Sequence, residues 1–168
     1  MKKVLITWYG ITDLRASLSI EYGDGPILSA LKAESYTDVL ILGYTNKEKE
    51  NIEQNIFEND LEKAQSNFIS NNQTELWNFI NTYSNTDLAH SNFINWVKRE
   101  LKENKKNTEV SFHSVKLTHL NDTEGIYNIA VQALDIVASW NVEKEVFFYL
   151  SPGTPVMAFV WAFAALRQ

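Results

Sequence analysis

The chain has 168 residues, of which 45% are hydrophobic and 21% are charged, and its formal net charge is -6. This length suits one globular domain and is too short for two full hydrophobic cores. The acidic balance argues against a protein that coats nucleic acid, because such a protein needs a basic face. The sequence has no cysteine, which excludes disulfides, thiolate zinc sites, iron–sulfur clusters and a cysteine nucleophile.

Neither a secretion signal nor a membrane span is predicted. The apolar run that begins at Val4 stops at Gly10, which is too early for a signal peptide. The longest apolar stretch, Val156–Leu166, has 11 residues, whereas a helix needs about 18 to cross a bilayer. We therefore expect a cytoplasmic protein.

The first 44 residues predict a strand, a helix and a second strand. Lys3–Tyr9 and Asp38–Tyr44 are mostly aliphatic and aromatic, with apolar residues on both faces, which is typical of central parallel strands. Between them, Pro26–Ala33 predicts a short helix with proline near its start.

The middle of the chain predicts a helical insertion over about 46–106. Apolar residues recur there at helical spacing, and the stretch contains neither glycine nor proline. We expect two or three amphipathic helices, broken near Asn71-Asn72 and near 83–87. Because charges of both signs are interleaved, they predict a solvated helix face.

The last third returns to alternating strands and helices. Glu109–Leu117 predicts a strand, Asp122 or Thr123 is expected to cap a helix, and Lys144–Leu150 predicts another buried strand. A wholly apolar helix follows. The alternation predicts a Rossmann-like, doubly wound α/β fold with a mainly parallel sheet flanked by helices.

The apolar last helix needs cover, because a helix that is apolar all round is normally buried. The sequence stops directly after it, at Arg167-Gln168. We therefore expect either a piece of a larger protein or a dimer that covers this surface.

The loop Ser151–Pro155 is the first candidate binding segment, because ligands of parallel sheets bind beyond the carboxyl ends of the strands. The backbone N–H groups of Gly153, Thr154, Val156 and Met157 and the hydroxyls of Ser151 and Thr154 form a cluster of donors that favours an anion. The alternative is a well-capped turn without a ligand, with Thr154 as N-cap and Pro155 in the first helical position.

The loop Gly10–Arg15 is the second candidate binding segment. Thr12 and Arg15 can contact phosphate or ribose, whereas Asp13 suits a ribose hydroxyl or an adenine amino group. The alternative is that Asp13 caps a turn and Arg15 is solvated. Thr45-Asn46 forms a third candidate rim, with a plain helix cap as its alternative.

No catalytic residue, metal site or cofactor is predicted. The three histidines, His90, His113 and His119, lack the spacing of metal ligands. Glycine-rich phosphate motifs are missing, and no nucleophile, base and acid can be placed together from their spacing.

Four segments together resemble the CARF (CRISPR-associated Rossmann fold) family. These are WYGITDLRA after the first strand, GPILSAL, LNDTEGIY and SPGTPVMAFVW. The resemblance is to the N-terminal sensor domain of multidomain effectors and spans most of the chain. It implies a homodimer whose groove binds cyclic tetra- or hexa-adenylate and allosterically controls an attached effector in type III CRISPR antiviral defence.

The resemblance also implies roles for individual residues. Thr12, Asp13 and Arg15 would line the groove, and Ser151, Gly153 and Thr154 would lie under the phosphodiesters. The complete set of candidate ligand-binding residues is Gly10, Ile11, Thr12, Asp13, Arg15, Thr45, Asn46, Ser151, Pro152, Gly153, Thr154, Pro155 and Met157.

Two other functions remain open at this stage. Some family members cleave their own ring slowly with the ribose 2′-hydroxyl as nucleophile, and here Thr12, Ser151 and Thr154 would position it. The third possibility is a dimerisation domain of a transcriptional regulator that binds no ligand.

Overall fold

The computed structural model describes residues 1–49, 52–117, 119, 121–150, 152 and 154–166. Its centre is one four-stranded sheet made of β1 (Lys2–Trp8), β2 (Asp38–Tyr44), β3 (Glu109–Val115) and β4 (Lys144–Tyr149). The strand order is β3-β2-β1-β4, and all three neighbouring pairs are parallel. The predicted α/β fold with a parallel sheet is therefore confirmed.

Helices occupy the connections between the strands, and one more helix follows the last strand. They are α1 (Ile11–Ser17), α2 (Gly25–Ala33), α3 (Gln54–Ile69), α4 (Gln73–Tyr83), α5 (Asp87–Glu103), α6 (Thr123–Ala138) and α7 (Pro155–Leu166). The predicted breaks in the insertion coincide with the ends of α3 and α4. A short 3-10 helix also spans Lys47–Lys49.

The segment after β1 differs from the prediction, because it is the helix α1 and not a loop. Leu14 and Leu18 are buried one turn apart, which anchors the helix to the core. Gly10 precedes the first turn, and the carboxylate of Asp13 accepts a hydrogen bond from the Gly10 N–H. Seven residues are too few for the apolar periodicity to be visible in the sequence.

The sheet is covered on both faces. Side chains of β1 alternate, so Val4 and Ile6 face α6 and α7 while Leu5 faces α2 and α5. A third apolar cluster lies among α1, α3 and α4, where Phe57, Phe79 and Tyr83 pack ring against ring. The helical insertion thus has a small core of its own beside the sheet.

Helix α7 is only half covered. Met157 and Trp161 pack against β1 and α6, whereas Phe159 is 73% exposed and Leu166 is 87% exposed. The neighbouring edge strand β4 also shows Phe147 to solvent. Within the described ranges, no helix is both long and apolar enough to cross a membrane.

Candidate ligand-binding site

The topology gives this sheet one switch point. From β1 the chain moves outward to β2 and β3, and β4 then pairs with the other side of β1. The connections that leave β1 and β4 therefore diverge above the carboxyl ends of these strands. A crevice at such a point is the usual ligand site of open parallel sheets.

A cavity of about 340 Å³ opens at this point. Its volume is within the range of about 300–1,000 Å³ that small-molecule sites have. Hereafter it is called the central cavity, and its lining residues are Trp8, Tyr9, Gly10, Ile11, Thr12, Asp13, Leu14, Pro26, Tyr44, Ser84, Asn85, Pro152, Thr154 and Met157. The segments after β1 and β4 meet there, although they are far apart in the sequence.

The β1 side of the central cavity is rigidly held. Asp13 is 1% exposed, and its two carboxylate oxygens accept hydrogen bonds from the N–H groups of Gly10 and Ile27, each at 2.9 Å. Burial raises the pKa of this carboxyl, and the two backbone hydrogen bonds oppose the rise. This geometry matches the alternative in which Asp13 caps a turn. Ile11 and Thr12 are exposed at the rim and face solvent.

The β4 side is formed by Pro152, Thr154 and Met157. The Thr154 hydroxyl accepts a hydrogen bond from the Met157 N–H at 3.2 Å and caps α7, which begins at Pro155. The Thr154 N–H points at the Met157 sulfur, 3.5 Å away. Two of the four predicted backbone donors are thus engaged within the helix start. Ser151 and Gly153 lie outside the described residues.

Three predicted site residues do not line the central cavity and have contacts outside it. Arg15 lines a neighbouring groove, with its Nε 3.9 Å from a carboxylate oxygen of Glu21. Thr45 is buried and hydrogen-bonded through its hydroxyl to His90 Nε2 at 3.0 Å. Asn46 accepts from the Glu48 N–H at 3.0 Å, which matches the helix-cap alternative for this rim.

Three residues that line the central cavity were not among the predicted site residues: Tyr44 at the end of β2, and Ser84 and Asn85 between α4 and α5. Asn85 has a φ of 63°, a left-handed conformation that asparagine tolerates better than most residues. The predicted helix break at 83–87 marked this turn. The position of this turn above the sheet depends on how the helical insertion packs, and the packing cannot be predicted from helical periodicity.

Tyr9 forms part of the wall of the central cavity, and side chains on the far side of its ring hold it in place. Its ring stacks on Phe93 with a centroid distance of 4.4 Å, and its hydroxyl is hydrogen-bonded to Nδ1 of His90. A Cβ on Gly43 would lie 2.7 Å from the rings of both Tyr9 and Phe112, so only glycine lets these rings approach the strand. Burial raises the pKa of the Tyr9 hydroxyl, which keeps it protonated.

His90 is the buried centre of this polar group. It is 3% exposed, and burial lowers its pKa to about 4, although the charge of Asp87 opposes the shift. The imidazole is therefore neutral at pH 7, with one nitrogen bonded to Tyr9 and the other to Thr45. The described residues include no group of three or more acidic and histidine side chains that suits a metal ion.

The chain is similar in structure to Enterococcus italicus Csm6 bound to cyclic hexa-2′-fluoro-hexa-dAMP, with a TM-score of 0.65 and 16% sequence identity. The match covers 99% of this chain and 31% of the Csm6 chain. No family model and no curated protein matches the sequence. The likeness is one of fold, and it agrees with the Rossmann-like architecture that the CARF resemblance implies.

Proposed function

We propose that this chain is a CARF-type sensor domain that binds a cyclic oligoadenylate at the carboxyl ends of β1 and β4. The proposal is carried by the central cavity, which brings together three of the four segments of the CARF resemblance at the switch point of the sheet. Csm6, which shares the fold, is bound to a cyclic hexanucleotide analogue.

The chemistry of the lining suits a nucleotide that is bound by shape and neutral polar groups. Thr12, Ser84 and Asn85 offer hydroxyl and amide groups, while Trp8 and Met157 supply apolar contact. The lining residues that the structure describes include neither lysine nor arginine. We therefore expect weaker salt dependence than in a site that pairs phosphates with cations.

A homodimer completes the proposed site. A ring with two-fold symmetry matches an isologous interface, in which each copy contributes the same surface. For the ring to control an attached effector, it must bind one arrangement of the dimer more tightly than another. The chain spans less than a third of Csm6, so the effector is part of the proposal.

Titration calorimetry with cyclic tetra-adenylate and cyclic hexa-adenylate tests this function, with linear hexa-adenylate as the ligand control. Thr12→Val removes a hydroxyl at the cavity rim, and we expect it to weaken ring binding by about 2- to 12-fold, the effect of one hydrogen bond. Thr82→Val is the matched variant, because Thr82 is exposed on α4 and bonds to its own helix. If neither ring gives heat at micromolar protein, the proposal is wrong.

A further inference from the structure

A second groove adjoins the central cavity on the side of α4. It has a volume of about 600 Å³, and Ile11 and Ser84 line both spaces. Its other walls come from α1 and α4 and include Arg15, Trp77 and Asn81. We call it the side groove. A molecule that fills the central cavity and extends past Ile11 enters this groove.

The aromatic wall of the side groove is Trp77, whose side chain is 65% exposed. An exposed tryptophan alone needs no explanation, because single apolar residues are common on surfaces. Here the exposed indole borders a concave space that also holds a cation and side-chain amides. Exposed aromatic rings beside positive charge are the usual platforms for unpaired nucleobases.

The cation of the side groove is Arg15, whose side chain is 34% exposed. Its contact with Glu21 is 3.9 Å long, which is beyond hydrogen-bond distance. Its Nε also has no hydrogen-bond partner among the described residues. Nε and the Glu21 Oε2 are themselves buried atoms, but the pair makes no hydrogen bond and about a third of the Arg15 side chain is exposed, so a phosphate that approaches from the groove can compete with Glu21 for the guanidinium.

The polar wall of the side groove consists of Gln73 and Asn81, which lie on α4 on either side of Trp77. The three residues are spaced four apart, so they lie on one face of the helix. Amide side chains match the N6 and N7 edge of adenine with one donor and one acceptor. The side groove therefore combines a stacking surface, an amide pair and a phosphate-binding cation.

We propose that the side groove holds an adenine base of the ring, stacked on Trp77, with Arg15 against a neighbouring phosphate. This inference rests on the proposed function, because the ring must first occupy the central cavity. It assigns to Arg15 a place in binding that differs from the central groove expected from the sequence.

The test compares Trp77→Ala and Trp77→Phe with Asn78→Ala, using cyclic hexa-adenylate and calorimetry. Asn78 is on the same helix but borders a different surface depression, so its replacement should leave affinity unchanged. Stacking of one base predicts a loss of about 5- to 150-fold for Trp77→Ala, with partial recovery in Trp77→Phe. Because Trp77 is exposed, the variants should keep the melting temperature of the parent chain.

Fluorescence distinguishes a stacked base from an indirect effect. Ring binding should quench the emission of the parent protein, and Trp77→Phe should lose the part of this quenching that comes from Trp77 even at saturating ring, while any contribution of Trp8 in the central cavity remains. Arg15→Gln should lower the slope of log affinity against log salt by about 0.7 for each arginine that is lost. A parent protein that binds the ring while Trp77→Ala keeps full affinity would overturn the side-groove proposal alone.

Two further outcomes are decisive. If the parent protein binds no ring, the proposed function fails, and this inference fails with it. If adenosine monophosphate quenches Trp77 but the ring does not, the groove is a separate mononucleotide site, and the stacking proposal is wrong.

Discussion

Acidification should destabilise this fold through His90. The imidazole is buried and neutral, and both of its nitrogens are hydrogen-bonded inside the protein. Protonation would place a charge where water cannot reach it, and it would turn the acceptor nitrogen into a second donor. The unfolded chain has no such restriction, so it takes up the proton more readily.

The size of this destabilisation follows from the pKa values of His90 in the folded and the unfolded state. The pKa of His90 is about 4 in the folded state, against a reference of 6.5. Between these values the unfolded state binds more protons, so stability rises with pH and falls on acidification. From pH 7.5 to pH 5, the free energy of unfolding should fall by about 2 kcal/mol through this residue. The raised pKa of Asp13 acts in the opposite direction.

Urea unfolding between pH 5 and pH 7.5 measures the effect, with His90→Gln as the variant. Glutamine cannot be protonated in this range, so the dependence of stability on pH should become shallower by about the same 2 kcal/mol. His113→Gln is the matched control, because His113 is exposed on β3, and it should keep the parent dependence. If His90→Gln retains the full dependence, the buried imidazole is not its source.

Two further substitutions test how the cavity wall is supported. Asp13→Ala leaves the N–H groups of Gly10 and Ile27 without their acceptors. The free energy of unfolding, measured by urea titration, should therefore fall by about 2–5 kcal/mol. A loss below about 1 kcal/mol would contradict the supporting role of Asp13. Gly43→Ala places a methyl group against the Tyr9 ring, so the free energy of unfolding should fall by about 1–3 kcal/mol. The Tyr9 signals in an NMR spectrum should also shift. Unchanged signals would show that the ring accommodates the methyl group without moving.

The sheet could be predicted from the sequence because its strands are short segments with regularly placed apolar residues that alternate with helices. The prediction that the last strand is buried was wrong, since β4 lies at the edge of the sheet and exposes Val146 and Phe147. Asp38–Tyr44 was predicted to the residue, and the other strands to within two positions at either end. Strand type follows from local composition, since a strand that is buried on both faces must be apolar throughout. The alternation of strands and helices then limits the possible topologies.

The candidate site was predicted only in part, because contacts between distant segments depend on packing. The meeting of Gly10 with the start of α7 follows from the general rule for parallel sheets. The direction of Arg15 and the inward turn of Asp13 depend on α1, a helix too short to show a pattern. Asn85 reaches the cavity through the packing of the whole insertion, which no local motif records.

The pairing of β1 with β4 has a consequence for how the protein matures. Thr7 and Tyr149 approach each other across a separation of 142 residues. At a synthesis rate of about 5–20 residues per second, the first strand waits about 7 to 28 seconds for its neighbour to leave the ribosome. During this interval one edge of an apolar strand is unpaired and prone to aggregate. Nascent chains thus pass through a vulnerable period, and the central cavity cannot form until the segment after β4 has been synthesised.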